Sequence, residues 1–145
     1  MLTWEPALPE DLDSLFRLNK HLIDTYEDLT TIDYDKVLHW VRRNIESNLA
    51  SFRRVLWDGQ LAGYYSLTPA EGKMELDSLF VLPGFQRKGI GTSIITQCLR
   101  SCPCVYLYVF RKNRDAIRLY QRLGFQITKE VGHTRYIMEY KNQDC

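Results

Sequence analysis

No apolar run in the sequence approaches the ~18 residues that a membrane-spanning helix needs. Zinc-site spacing is missing too: Cys98, Cys102, Cys104 and Cys145 include no Cys-x-x-Cys pair, and Cys102-Pro103-Cys104 is too tight for a knuckle. Free thiols are therefore expected. His21, His39 and His133 stand singly, which suits neither a metal site nor a catalytic cluster. Charge is nearly balanced, with 19 Lys+Arg against 18 Asp+Glu, a net of +1, too little for a nucleic-acid binder. Neither the P-loop spacing Gly-x4-Gly-Lys-Ser/Thr nor the dinucleotide spacing Gly-x-Gly-x-x-Gly occurs. Met1 to Pro6 lacks the basic and apolar regions of a signal peptide. These absences predict one cytoplasmic domain, residues 1–145, with no metal, membrane or nucleic-acid partner.

What is present centres on Gln86-Arg87-Lys88-Gly89-Ile90-Gly91-Thr92. An apolar run, Leu79 to Leu82, precedes it, and a helical pattern of Ile94, Ile95, Cys98 and Leu99 follows. Strand, glycine loop, helix is the order that builds an anion site. Glycine lets a ligand approach the backbone, and the first helical amides lack carbonyl partners and carry partial positive charge. Arg87 and Lys88 add full charges, so a pyrophosphate suits the loop. The glycines alone equally suit a tight strand–helix turn. Charge is also uneven along the chain. Residues 1–50 hold ten acids and five Lys/Arg, and residues 51–145 hold eight acids and fourteen Lys/Arg. The second part suits an anionic cofactor and the first a cationic second substrate.

The periodicities give the order of elements. Leu2 to Trp4 reads as a short strand. Pro9, Glu10 and Asp11 open a helix whose stripe is Leu12, Leu15, Phe16, Leu22 and Ile23. An acidic loop runs from Asp24 to Asp33, and Asp33 caps a second helix. Residues 52–57 and 60–67 form a hairpin about Asp58-Gly59. A loop from Thr68 to Lys73 leads to strand 74–82. After a helix over 92–101, strand 105–110 is apolar on both faces, and the crossover makes it parallel to 74–82. A helix over 114–123 ends at Gly124, and strands 125–131 and 135–140 close the chain. A meander followed by one crossover gives an α+β fold with a mixed, mostly antiparallel sheet.

Gln86-x-x-Gly89-x-Gly91, five residues beyond Val81, resembles the acetyl-CoA signature of the GNAT superfamily of N-acetyltransferases. A second block, Asn113-x-x-Ala116-x-x-x-Tyr120-x-x-x-Gly124-Phe125, is similar to another GNAT segment at every marked position. The close resemblance covers residues 74–127. It implies a twisted mixed sheet with flanking helices, in which the strands at 74–82 and 105–110 splay apart to admit the pantetheine arm. It implies acetyl-CoA as co-substrate, with Arg87, Lys88, Gly89, Ile90, Gly91 and Thr92 around the pyrophosphate. Leu79, Phe80 and Val81 lie along the pantetheine stretch, and Gln86 and Asn113 belong to the same binding set.

The resemblance also implies roles. Tyr120 is the proton donor to the leaving thiolate, and the Leu79 amide faces the acetyl oxygen. Glu75 matches a catalytic glutamate of histone-acetylating members. The position that carries the base in members acetylating protein N-termini is Tyr108 here. Alternation along the strand puts Glu75 and Asp77 on the same face as Leu79 and Val81. Glu75, Asp77 and ordered water all stay open as the base. In the loop between the first helices, Tyr26, Glu27 and Asp28 are acceptor-binding candidates, which predicts a cationic small amine or basic peptide. Alternatives are acetylation of a protein lysine or N-terminus, a non-catalytic acyl-CoA sensor, and a nucleic-acid module using Arg111, Lys112, Arg114, Arg118 and Arg122. Both monomer and homodimer are compatible with the sequence.

Overall fold

The computed structural model describes residues 1–141. Its elements, in chain order, are β1 (Leu2–Pro6), α1 (Leu12–Tyr26), α2 (Tyr34–Ser47), β2 (Phe52–Trp57), β3 (Gln60–Ala70), β4 (Lys73–Val81), α3 (Ile90–Ser101), β5 (Cys104–Phe110), α4 (Arg114–Arg122), β6 (Gln126–Val131) and β7 (Arg135–Lys141). Short 3-10 turns at Pro9–Asp11 and Leu49–Ser51 lead into α1 and β2. The strands form one sheet in the order β1-β2-β3-β4-β5-β7-β6. Every neighbouring pair is antiparallel except β4 with β5. The α+β class and the single parallel crossover therefore hold.

Two tight turns explain the meander. Asp58 and Gly59 are both left-handed, as are Glu71 and Gly72. This twist matches that of the joined strands. The second turn is tighter than the expected loop from Thr68, so β3 runs on through Pro69 to Ala70, opposite Lys73. Beyond Ser66, β2 no longer pairs with β3, and such an edge tolerates proline.

The sheet is covered unequally. On one face, α3 and α4 pack over Leu76, Val105, Leu107, Val109 and Met138, while α3 extends over Val55 and Ala62. On the other face, α1 and α2 bury Leu15 and Ile45 against Phe52, Tyr64 and Phe80. Asp11 is 4% exposed, not the solvated helix-start acid that its position suggests. Its carboxylate accepts from the Leu8 amide at 2.7 Å and the Tyr64 hydroxyl at 2.8 Å, and lies 3.5 Å from Arg54 Nε. Burial, then this carboxylate, pushes the Tyr64 phenol up to about 12. Asp33 caps α2 as expected, accepting from the Lys36 amide at 3.3 Å.

Cys98 and Cys102 are free thiols, and burial pushes Cys98 up to about 11. The free-thiol expectation fails at Cys104, which is disulfide-bonded. Cys145 lies outside the described residues. No helix among the described residues is long and apolar enough to cross a membrane.

Candidate active site

The parallel ladder between β4 and β5 is two rungs long: Met74 pairs with Val105 and Glu75 with Tyr106. Beyond Glu75 the strands separate, and from Leu76 onward β4 keeps β3 as its hydrogen-bonded neighbour. A cavity of about 1160 Å³ lies in the gap. Its walls bring together Leu79 and Val81 from β4, Gln86, Arg87, Gly89, Ile90, Gly91 and Thr92 from the loop and α3, and Asn113 and Tyr120 from α4. Tyr26 also lines it, although Tyr26 belongs to the opposite face, where its ring stacks on Phe110 at 6.2 Å. The gap therefore passes through the sheet, from the α3/α4 face to the α1 face.

The loop at the mouth is shaped by backbone. Gly89 sits at φ +77° as the N-cap of α3, a conformation glycine adopts without steric cost. The Ser93 amide bonds back to the Gly89 carbonyl. The amides of Ile90, Gly91 and Thr92 precede the first helical bonds and are available to an anion. Gly91 has no conformational need for glycine. A Cβ there would stand 3.7 Å from Leu119 and 3.9 Å from Val81, in ordinary contact, but on the cavity wall. Arg87 is left-handed at φ +63°, a strained state for a side chain of its size. Gln86 donates from Nε2 to the Val81 carbonyl at 3.0 Å. That bond satisfies a carbonyl at the very end of β4 and braces the loop.

On α4, Asn113 is the N-cap, its Oδ1 accepting from the Ala116 amide at 3.3 Å. Tyr120 sits two turns on, against Phe125 with ring centroids 5.8 Å apart. Burial pushes its hydroxyl up to about 12, so it stays protonated and able to donate at neutral pH. Arg118, Arg122, Phe85 and Leu119 also line the cavity, beyond the residues that the motifs mark. Arg118 and Arg122 are one helical turn apart, which was the available signal, although Arg118 also pairs with Asp115.

Some candidates lie elsewhere. The Phe80 side chain packs under α1 with Leu15 and Phe52, and Lys88 is exposed outside the cavity wall. Glu75 does not share a face with Leu79, because of a bulge. Ser66 pairs with Ser78 but Leu67 with Leu76, which leaves Asp77 as an extra residue in β4. Leu76 and Leu79 thus pack on the same α3 side, and Glu75 turns to the α1 face. There it accepts from the Tyr106 hydroxyl at 3.2 Å. Burial first, then the charge of Asp77, raises its carboxyl above the ordinary range, while the Tyr106 bond acts the other way.

The acidic loop is largely occupied. Asp24 is bound by Lys20 and Tyr34. Glu27 accepts from the Asp28 amide at 3.1 Å. Asp28 takes the Thr30 hydroxyl and amide and lies 3.5 Å from His133 Nε2. The Thr30 bonds first, and His133 among the lesser causes, hold the Asp28 carboxyl low. A second cavity of about 520 Å³ shares Tyr26 with the larger one, and its rim sets Asp28 among Arg111, Lys112, Arg114 and His133.

Residues 13–125 match the family model described as the acetyltransferase (GNAT) family. The chain belongs to the GNAT family. Its curated relatives include the spermine/spermidine N(1)-acetyltransferase of Bacillus subtilis (strain 168), 34% identical over 89 residues, covering 52% of this chain and 59% of that protein. Another is the peptidyl-lysine N-acetyltransferase YiaC of Escherichia coli (strain K12), 36% identical over 84 residues, 57% of this chain and 56% of that protein. The GNAT chain thus spans a little over half the length of these relatives. Among solved structures, a GNAT-family acetyltransferase from Streptococcus agalactiae 2603 superposes with a TM-score of 0.75 at 14% identity, covering 98% of this chain and 96% of that one. The PaiA N-acetyltransferase of Thermoplasma acidophilum, solved in complex with coenzyme A, gives 0.67 at 22% identity over 98% and 99%. At these identities the likeness is one of fold.

Proposed function

We propose that the protein transfers an acetyl group from acetyl-CoA to a cationic primary amine by direct attack within a ternary complex. The observation that carries this reading is the cavity that runs through the parted sheet. A thioester held from the α3/α4 face is then open to an amine arriving on the α1 face. The residues present suit coenzyme A: a helix N-terminus and Arg87 for the pyrophosphate, a side-chain-free Gly91, and unpaired strand edges for the pantetheine amides. Acetyl-CoA supplies an acyl group activated as a thioester. Glu75, directly or through water, accepts a proton from the amine. The N–C bond forms as the C–S bond breaks, the Leu79 amide faces the oxygen on which charge develops, and Tyr120 gives its proton to the thiolate.

Cationic acceptors are favoured by the carboxylates of Glu75 and Asp77, by the rings of Tyr106 and Tyr108 beside them, and by the polyamine activity named for the Bacillus relative. A lysine side chain in a peptide is the second reading, favoured by the Escherichia coli relative. The test is release of free thiol from acetyl-CoA across spermidine, a lysine peptide, an N-terminal peptide and glutamate. Fastest turnover with spermidine is expected. Equal rates with glutamate overturn the acceptor class, and acetyl-CoA binding with no turnover for any amine replaces the enzyme by a sensor.

A further inference from the structure

Glu75 and Tyr106 form the last shared rung before β4 and β5 diverge. Their side chains touch there, with the Tyr106 hydroxyl donating to Glu75 Oε1 at 3.2 Å. Both lie where β4 and β5 part, on the face that carries Phe110 and Tyr26, and outside the walls of the large cavity. A glutamate in that place has three rotatable bonds and a like-charged neighbour, Asp77, left beside it by the bulge. In its own strand its side-chain neighbour is Asp77, whose like charge opposes an ionised Glu75. We propose that Tyr106 is the positioning residue for the base, its hydroxyl holding the Glu75 carboxylate where β4 and β5 part and turned to the acceptor face. This assignment rests on the reading of Glu75 as the base.

The surroundings decide the direction of the expected effect. Asp77 on β4 raises the Glu75 carboxyl, and the Tyr106 hydrogen bond lowers it. The Tyr106 phenol is itself pushed up to about 12 by desolvation and then by Glu75, with Glu71 of the β3–β4 turn adding to it. It therefore remains a donor wherever the base is ionised. Lys73, two residues before Glu75 on β4, pairs with Glu139 of β7 at 2.7 Å. The Arg135 guanidinium of β7 lies 5.5 Å over the Tyr108 ring, and Tyr108 in turn meets Tyr106 edge-on. Tyr106 is thus the group that donates to Glu75. Removing its hydroxyl leaves Asp77 and burial unopposed, so Glu75 keeps its proton to higher pH.

The experiment compares Tyr106→Phe and Glu75→Gln, each confirmed folded by circular dichroism, with spermidine as acceptor. For Tyr106→Phe the acid limb of the pH–rate profile is expected to move to higher pH. The alkaline plateau should stay within about twofold and KM for acetyl-CoA should be unchanged. Glu75→Gln is expected to lose the acid limb. In parallel, carbon-13 glutamate labelling follows the Glu75 carboxyl titration directly, which must move upward in Tyr106→Phe whether or not spermidine turns over. An unmoved titration, or an unmoved limb while Glu75→Gln still loses it, overturns the positioning role and leaves the base in place. An acid limb retained in Glu75→Gln overturns the base, and the role of Tyr106 falls with it.

Discussion

The two walls of the cleft are built from different materials. The α3/α4 wall is made largely of backbone: free helix amides at Ile90, Gly91 and Thr92, open strand edges at Leu79 and Val81, and glycine where a side chain would intrude. The α1 side gives the cavity Tyr26, and that side of the sheet carries side chains whose polar groups already have partners, such as Asp28 with Thr30 and His133, Glu75 with Tyr106, and Lys73 with Glu139. A backbone wall recognises what every coenzyme A offers, a pyrophosphate and amides. A side-chain wall can be re-tuned by substitution, and under the proposed function it is the wall that would set acceptor choice.

The largest effect should come from giving the backbone wall a side chain. Gly91→Val places its Cβ in ordinary contact with Leu119 and Val81, so the fold is retained, but its methyls fill the cavity. Calorimetry should show acetyl-CoA affinity lost by about 100-fold or more, ~2.7 kcal/mol. Unchanged affinity would mean that the backbone wall is not the cofactor wall. Next is Tyr120→Phe, which removes a hydroxyl and little volume. Turnover should fall by roughly tenfold to a thousandfold with acetyl-CoA binding kept, and a full rate would remove Tyr120 as the acid.

The acceptor wall should respond in the opposite currency. Changing Glu27→Gln and Asp28→Asn together should raise KM for spermidine by about threefold to tenfold, with weaker salt dependence and no change in KM for acetyl-CoA. No change in either constant would show that Thr30 and His133 have taken these acids out of substrate binding. The smallest effect is expected at the brace. Gln86→Ala frees the Val81 carbonyl and should weaken acetyl-CoA binding by about threefold, a single hydrogen bond's worth. A loss as large as that of Gly91→Val would mean that Gln86 touches the cofactor itself.

The same contrast explains what the sequence made legible. Gly89 and Gly91 are readable because a backbone requirement leaves a residue-type trace at a fixed spacing. Asn113 and Tyr120 are readable for a related reason, since both belong to one short helix whose local geometry sets their separation. Asp11 is not readable. Its partner Tyr64 is 53 residues away, and an acid after Pro9 reads equally well as a solvated helix start. The bulge at Asp77 left only a faint trace. Asp77 and Ser78 are two polar residues in a row between Leu76 and Leu79, and the register against β3 identifies the extra residue. The loop acids show a third limit: composition counts charges but not their partners, here Lys20 and Tyr34 on Asp24 and His133 beside Asp28.

That extra residue acts as a phase shift in a wave of period two. Upstream of Asp77, odd-numbered residues of β4 face the α1 side; downstream, odd-numbered residues face the α3/α4 side. A regular strand that kept every residue would instead put Glu75 on the face of Leu79 and drive a carboxylate among Ile95 and Val105, where an unpaired charge is not tolerated. With the shift in place, one strand presents alternate residues to opposite sides of the sheet. Under the proposed function, residues 73–76 can then change with the acceptor while residues 78–81 stay matched to coenzyme A.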